Sequence, residues 1–193
     1  MNHLKDYLYY IINSHMYEKL ATNHIYNKLG HKNDYLLENI NISFTISPEL
    51  AVSNPFSILA HKMFLEQIAG QKLVDHLSEK HINEFNLKKE QYIGSSTNLR
   101  NNIMYNFLQR FILLNQLSMY NLRGFIQETN SNNKSFSVGF TSLDAFEPVY
   151  STFEKWALVP DHYKYGCYIN IISNYENTFI SELLLSHFGL TII

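Results

Sequence analysis

Arginine, glycine and cysteine are all scarce in this chain of 193 residues, and each shortage closes off a class of chemistry. Cys167 is the single cysteine, so an internal disulfide and a cysteine-based metal site are both excluded. The few glycines form no phosphate-cradling loop of the kind a doubly wound nucleotide binder needs. No apolar run is long enough to cross a bilayer as a helix, so no membrane insertion is expected. A basic excess is missing as well. The formal net charge is -2, whereas a nucleic-acid binder ordinarily carries cations that neutralise phosphate and release counterions. Charge alone therefore argues against a nucleic-acid partner.

What is present is a core. Hydrophobic residues make up 46% of the chain and aromatic residues 15%, well above a disordered composition. A chain of this length buries roughly two thirds of its unfolded surface as a single domain. Asn, Tyr, Ile, Phe and Lys abound while Ala, Gly and Arg are few, which is what an AT-rich coding sequence produces. The first ten residues carry Asp6 and no arginine, unlike a transit peptide, and lack a secretory apolar run.

Periodicity divides the chain into a helical segment, 1–36, and an α+β core, 37–193, within one domain. Leu4 to Leu29 repeats apolar residues every three or four positions and stops at Gly30, predicting a helix. Leu37 to Ile46 alternates, with Ile40, Ile42, Phe44 and Ile46 on one face and Asn41, Ser43 and Thr45 on the other, predicting a half-buried strand. Asn54-Pro55 opens a helix that Gly70 closes, with Phe56, Leu59, Ala60, Met63 and Phe64 as its expected apolar stripe. A short strand, Leu73-Val74, and a polar loop from Asp75 to Asn86 follow. Leu87 to Leu99 reads as a strand ending in the polar run Ser95 to Asn98. From about Asn102 a helix is expected to bury Ile103, Phe107, Leu108, Phe111 and Leu114. A polar Asn- and Ser-rich loop, Gln127 to Lys134, leads into the alternating segment Phe136 to Phe140. Tyr165 to Ser173 alternates with Cys167, Ile169 and Ile171 on one side, and Ser173 with Glu176 forms a capping box for a last helix ended by Gly189. The sum is an α+β fold: an antiparallel sheet with helices packed mainly on one face.

The arginines are concentrated. Arg100, Arg110 and Arg123 are the only three, and all lie at or beside the helix that follows Leu99. A cation at Arg100 gains nothing from the helix dipole, which favours anions at a helix N-terminus. An outside anion such as phosphate explains that position better. Catalytic patterns are missing: no G-x-S-x-G elbow and no H-x-x-x-H pair occurs, His76 and His81 are five apart on an expected loop, and Cys167 alternates inward as a small core residue. No enzyme activity, cofactor or metal is expected.

The ordered set Gly70-Gln71-Lys72, Phe85, Ile93-Gly94, Leu99-Arg100, Met104-Tyr105, Phe107, Arg110 and Leu122-Arg123-Gly124 resembles the signature of the large-subunit ribosomal protein that carries 5S rRNA, bacterial protein L-five. The register holds from about Leu37 to the C-terminus. This resemblance implies a structural ribosomal protein of the central protuberance; the AT-rich composition points to an organelle genome, with a mitochondrial ribosome as the expected setting, or to an AT-rich organism. The resemblance also implies large-subunit rRNA, 5S rRNA, neighbouring large-subunit proteins and a small-subunit head protein across an intersubunit bridge as partners. In the family the polar face of the sheet grips the RNA backbone. The positions that carry over are Ser43, Gln71 and Asn98, with Thr97, Lys72, Arg100 and Arg123 as further RNA contacts. Ser43 and Asn98 replace an Asn and a Thr of the family pattern; both still donate and accept hydrogen bonds. The loop bearing His76, Lys80 and His81 corresponds to one that reaches peptidyl-site tRNA. Here that loop is nearly neutral. The low cationic charge implies more protein contact than in a bacterial member of the family, with the N-terminal helix and Tyr150 to Tyr168 as candidate surfaces, and the rival from another class is a protein that keeps this fold and docks only onto other proteins.

Overall fold

The computed structural model describes residues 6, 10, 14, 37–53, 55–117, 126–127, 135–141, 143, 146, 166–173 and 185–186. Their elements, in chain order, are β1 (Leu37–Thr45), α1 (Pro48–Ser53), α2 (Pro55–Ala69), β2 (Val74–Leu77), a 3-10 turn (Asn83–Phe85), β3 (Tyr92–Leu99), α3 (Asn101–Leu117), β4 (Ile126–Gln127), β5 (Ser135–Phe140) and β6 (Cys167–Ser173). The strands form one six-stranded sheet in the order β2-β3-β1-β6-β5-β4, and β2 with β3 and β4 with β5 pair antiparallel. This is the α+β fold that the alternation of the sequence predicts. Nearly all of the expected N-terminal helix, the cap at Asn54, the loop 128–134 and nearly all of the last helix lie outside the described residues.

The chain divides into two compact units, one of residues 1–40, 100–138 and 170–193, the other of 41–99 and 139–169. In the first, α3 buries Met104, Tyr105, Phe107, Leu108 and Phe111, and the rings of Phe107 and Phe111 stack at 5.8 Å. Ile103, expected in that core, is largely exposed. The buried stripe runs through 104, 107/108 and 111, and Ile103 sits about a quarter turn away from 104 at the start of the helix.

In the second unit β1 alternates as expected: Ile42, Phe44 and Ile46 are buried, Ser43 is half-exposed and Thr45 is open. The Phe44 ring meets His61 of α2 edge-on at 4.7 Å, so the even face of β1 is the one turned to that helix. The face of α2 differs from expectation. Ile58, Ala60, His61, Phe64, Leu65 and Ile68 are buried, while Phe56, Leu59 and Met63 are exposed. Apolar residues surround this helix, so spacing alone does not select the face that packs. Gly70 then ends α2 with φ 71, and its N–H donates to the Glu66 carbonyl at 2.9 Å.

The strand after α2 is longer than the sequence predicts and takes in Asp75, His76 and Leu77, every residue of it exposed. Leu87 lies outside β3 and makes an isolated bridge with Ile82. The connection between β2 and β3 is closed by its own hydrogen bonds: Ser78 N–H to Gln91 O and Glu90 N–H to Ser78 O, both 2.8 Å. It is a tied loop rather than a simple polar excursion. Gly94 lets β3 approach β1, because a Cβ there would collide with the Phe44 carbonyl oxygen.

Candidate nucleic-acid interface

Strand pairing sorts the residues of 41–99 onto two faces. Asp75 stands opposite Ser95, and Val74 and His76 stand opposite Ser96 and Gly94. The Asp75 carboxylate takes the Lys62 ammonium of α2 at 2.6 Å and 2.7 Å and accepts from the Ser95 hydroxyl at 2.5 Å. The Ser95 hydroxyl hydrogen is engaged by Asp75, so the Tyr92 hydroxyl, 2.7 Å away, donates to Ser95. These contacts fix Asp75 and Ser95 on the helix side. Burial alone pushes the Asp75 carboxyl up, but the hydrogen bonds from Lys62 and Ser95 and the charges of Lys62 and His76 outweigh it and hold the group below its ordinary value. The Tyr92 hydroxyl is pushed up by burial and by the nearby Asp75 charge, against the hydrogen bond with Ser95.

Thr97 shares the Ser95 side and is 4% exposed; its hydroxyl has no hydrogen-bond partner among the described residues. Its expected place on the open polar surface is therefore corrected: period-two alternation sends every second residue of the Ser95 to Asn98 run inward. Ser96 and Asn98 point the other way. The imidazole Nε2 of His76 and the Ser96 hydroxyl lie 2.7 Å apart, joining β2 and β3 across the open face. Asn98 is exposed on that same side, and on β1, the next strand, Ser43 is half-exposed on the side opposite Phe44.

Gln71 and Lys72 are exposed immediately before β2. They leave α2 at Gly70, and the chain is steered by the Leu73 N–H donating to the Glu66 carboxylate at 3.0 Å. Ser43, Gln71, Lys72, His76 and Asn98 thus belong to one unit, with a polar sheet face among them. Lys80 and His81 are exposed in the tied loop, whose Glu79, Glu84 and Glu90 balance Lys80, Lys88 and Lys89. Arg100, in the other unit, is exposed just before α3, and Arg110 is exposed on that helix with its Nε donating to the Asn106 carbonyl at 3.3 Å. Arg123 lies outside the described residues.

Two features escaped the sequence. Lys62 looks like an ordinary surface cation on α2, and only the strand pairing reveals it as the partner of Asp75. The other is the setting of Tyr168: alternation puts it on the side of β6 away from Cys167, Ile169 and Ile171, but only the structure brings Gly139 of β5 against its ring. Cys167 beside it is buried, and burial pushes its thiol up to about 12, which makes it inert at neutral pH. Among the described residues no three of His, Cys, Asp and Glu come together as metal ligands, and no helix is long and apolar enough to cross a membrane.

Within 41–99 the strands thus have one side turned to α2 and one polar side. The chain is 28% identical over 173 residues to the large ribosomal subunit protein uL5m of Reclinomonas americana, covering 89% of this chain and 92% of that protein. It is 31% identical over 155 residues to the large ribosomal subunit protein uL5 of Borreliella burgdorferi, covering 80% of each. The uL5 of Borrelia garinii is 30% identical over the same length. No family model matches the chain. At this identity and coverage the assignment is plain: the chain belongs to the uL5 family of large ribosomal subunit proteins.

Proposed function

We propose that this protein is a structural, rRNA-binding constituent of the large subunit of a mitochondrial ribosome, holding 5S rRNA in the central protuberance through the open polar face of its sheet. The observation that carries the reading is the shared orientation of Ser43, Ser96, Asn98 and His76 away from α2, with Gln71 and Lys72 exposed beside them. Hydroxyl, amide and imidazole groups on a pleated surface suit the sugars and phosphates of an RNA backbone, where contacts position the molecule without reading bases. The mitochondrial setting is supported by the uL5m relative and by the AT-rich composition. Arg100 and Arg123 supply the phosphate contacts of the first unit, and the loop of Lys80 and His81, with His76 on the strand that leads into it, faces peptidyl-site tRNA. Neighbouring large-subunit proteins and a small-subunit head protein complete the surroundings.

Cross-linking in purified ribosomes, with sequencing of the attached RNA, tests this. Adducts from Lys72 or Arg100 to 5S or large-subunit rRNA are the expected result; protein adducts alone from those residues would sink the reading. A second reading, docking onto proteins only, is favoured by the exposed apolar line of Val52, Phe56, Leu59 and Met63 and by the net charge of -2. Rising ionic strength separates the two, since an RNA-held protein leaves its particle and one held by apolar contacts stays.

A further inference from the structure

Tyr168 has an unusual setting for an exposed aromatic residue. It belongs to the solvent side of β6, whose alternate residues Cys167, Ile169 and Ile171 are buried. The neighbouring strand β5 offers Gly139 beneath the ring. A Cβ there would stand 3.1 Å from Cε1 and 3.4 Å from Cδ1, so one edge of the ring rests on bare backbone. The ring nevertheless stays 56% exposed. Gly166 is equally bare, because a Cβ would collide with the Phe140 carbonyl oxygen.

These two glycines open a shallow recess of about 410 Å³ beside the ring, lined by Thr45, Gly139, Phe140, Thr141, Gly166 and Tyr168. Its size falls at the small end of ligand recesses. Nothing charged lines it, so a phosphate finds no counterion there. What it offers is a flat π-surface with threonine hydroxyls and backbone carbonyls around it, which fits a flat, neutral, hydrogen-bonding ring. Thr45 occupies the same side of β1 as Ser43, two residues along, so the recess is continuous with the polar surface already described.

We propose that Tyr168 is a stacking platform for an unpaired base of the bound RNA, with Thr45 and Thr141 beside the base edge. This rests on the RNA-binding reading above. Stacking is tolerant of sequence and does not depend on counterion release, so it gives a chain of net charge -2 a grip on RNA that cations do not provide.

The test uses the full-length protein and a short fluorescein-labelled oligoadenylate, with binding read by anisotropy at low and high potassium chloride. Tyr168→Ala is expected to weaken binding about tenfold at both salt concentrations, while Tyr168→Phe, which keeps the ring, binds as the parent does. A double variant, Lys72→Ala with Asn98→Ala, gives the reference for the polar face. If that variant loses binding and Tyr168→Ala does not, stacking is overturned and the RNA-binding face stands. If the parent protein fails to bind at all, both readings fall. Unlabelled AMP is the remaining arm: competition as strong as that of the oligoadenylate itself would identify a free-nucleotide pocket and overturn the proposal.

Discussion

Adjacent residues of β1 and β3 have opposite duties. Phe44 is closed in against His61 of α2 while Ser43 looks outward; Thr97 is sealed in while Asn98 is open. A displacement of one position along a strand changes the environment from packed interior to solvent. The lesson is that the polar run Ser95 to Asn98 is two populations: Ser95 and Thr97 turn inward, Ser95 tied through Asp75 to Lys62 of α2, while Ser96 and Asn98 stay on the open side.

The contrast is tested most severely at Phe44. Phe44→Ala removes a fully buried ring and is expected to lower stability by about 3–5 kcal/mol in urea unfolding. A loss under about 1 kcal/mol would mean that the helix side is not the packed one. Thr97→Val keeps the shape and deletes a buried hydroxyl that has no partner among the described residues, so a gain of about 1 kcal/mol is expected with RNA binding unchanged. Destabilisation by that substitution would reveal a hidden partner for the hydroxyl.

Asp75 contributes less, because its side chain and that of Lys62 are both partly exposed. Its carboxyl lies below the ordinary value in the folded chain, so the stabilisation is fully present above about pH 4, the unfolded value, and is lost as pH falls through the folded one. Asp75→Asn should flatten that acid limb by less than about 1 kcal/mol, measured as midpoint against pH. An unchanged limb would show that the Lys62 pair is energetically silent. Ser43→Ala, at the small end, is expected to shift stability by no more than about 0.5 kcal/mol. Its signature is weaker RNA retention in a filter-binding assay, and a large stability loss with intact retention would reverse the duties assigned to the two faces.

Much of this was legible. β1 and β6 follow from alternation because each has one buried side, and Ile42, Phe44, Cys167, Ile169 and Ile171 lie where period two puts them. The family signature led to the right family. The packed face of α2 was misjudged because apolar residues occur all round it, so His61 and Ser57 are inside while Phe56 and Met63 are outside. The extent of β2 was missed because an edge strand with both sides exposed has no apolar alternation to betray it. Thr97 entered through the resemblance, which does not resolve the pleat, and Tyr168, the end of a segment read as a docking surface, gave no sign in the sequence of the bare glycine backbone beside its ring.

Glycine is encoded by G-rich codons, so a genome drifting toward A and T erodes it as it erodes arginine. The four described glycines that survive are each held by geometry: Gly70 by its positive φ, Gly94 and Gly166 by a facing carbonyl oxygen, Gly139 by the Tyr168 ring. Where strands touch, composition meets a steric floor. At Gly94 in particular, the residue is dictated by the distance between two backbones.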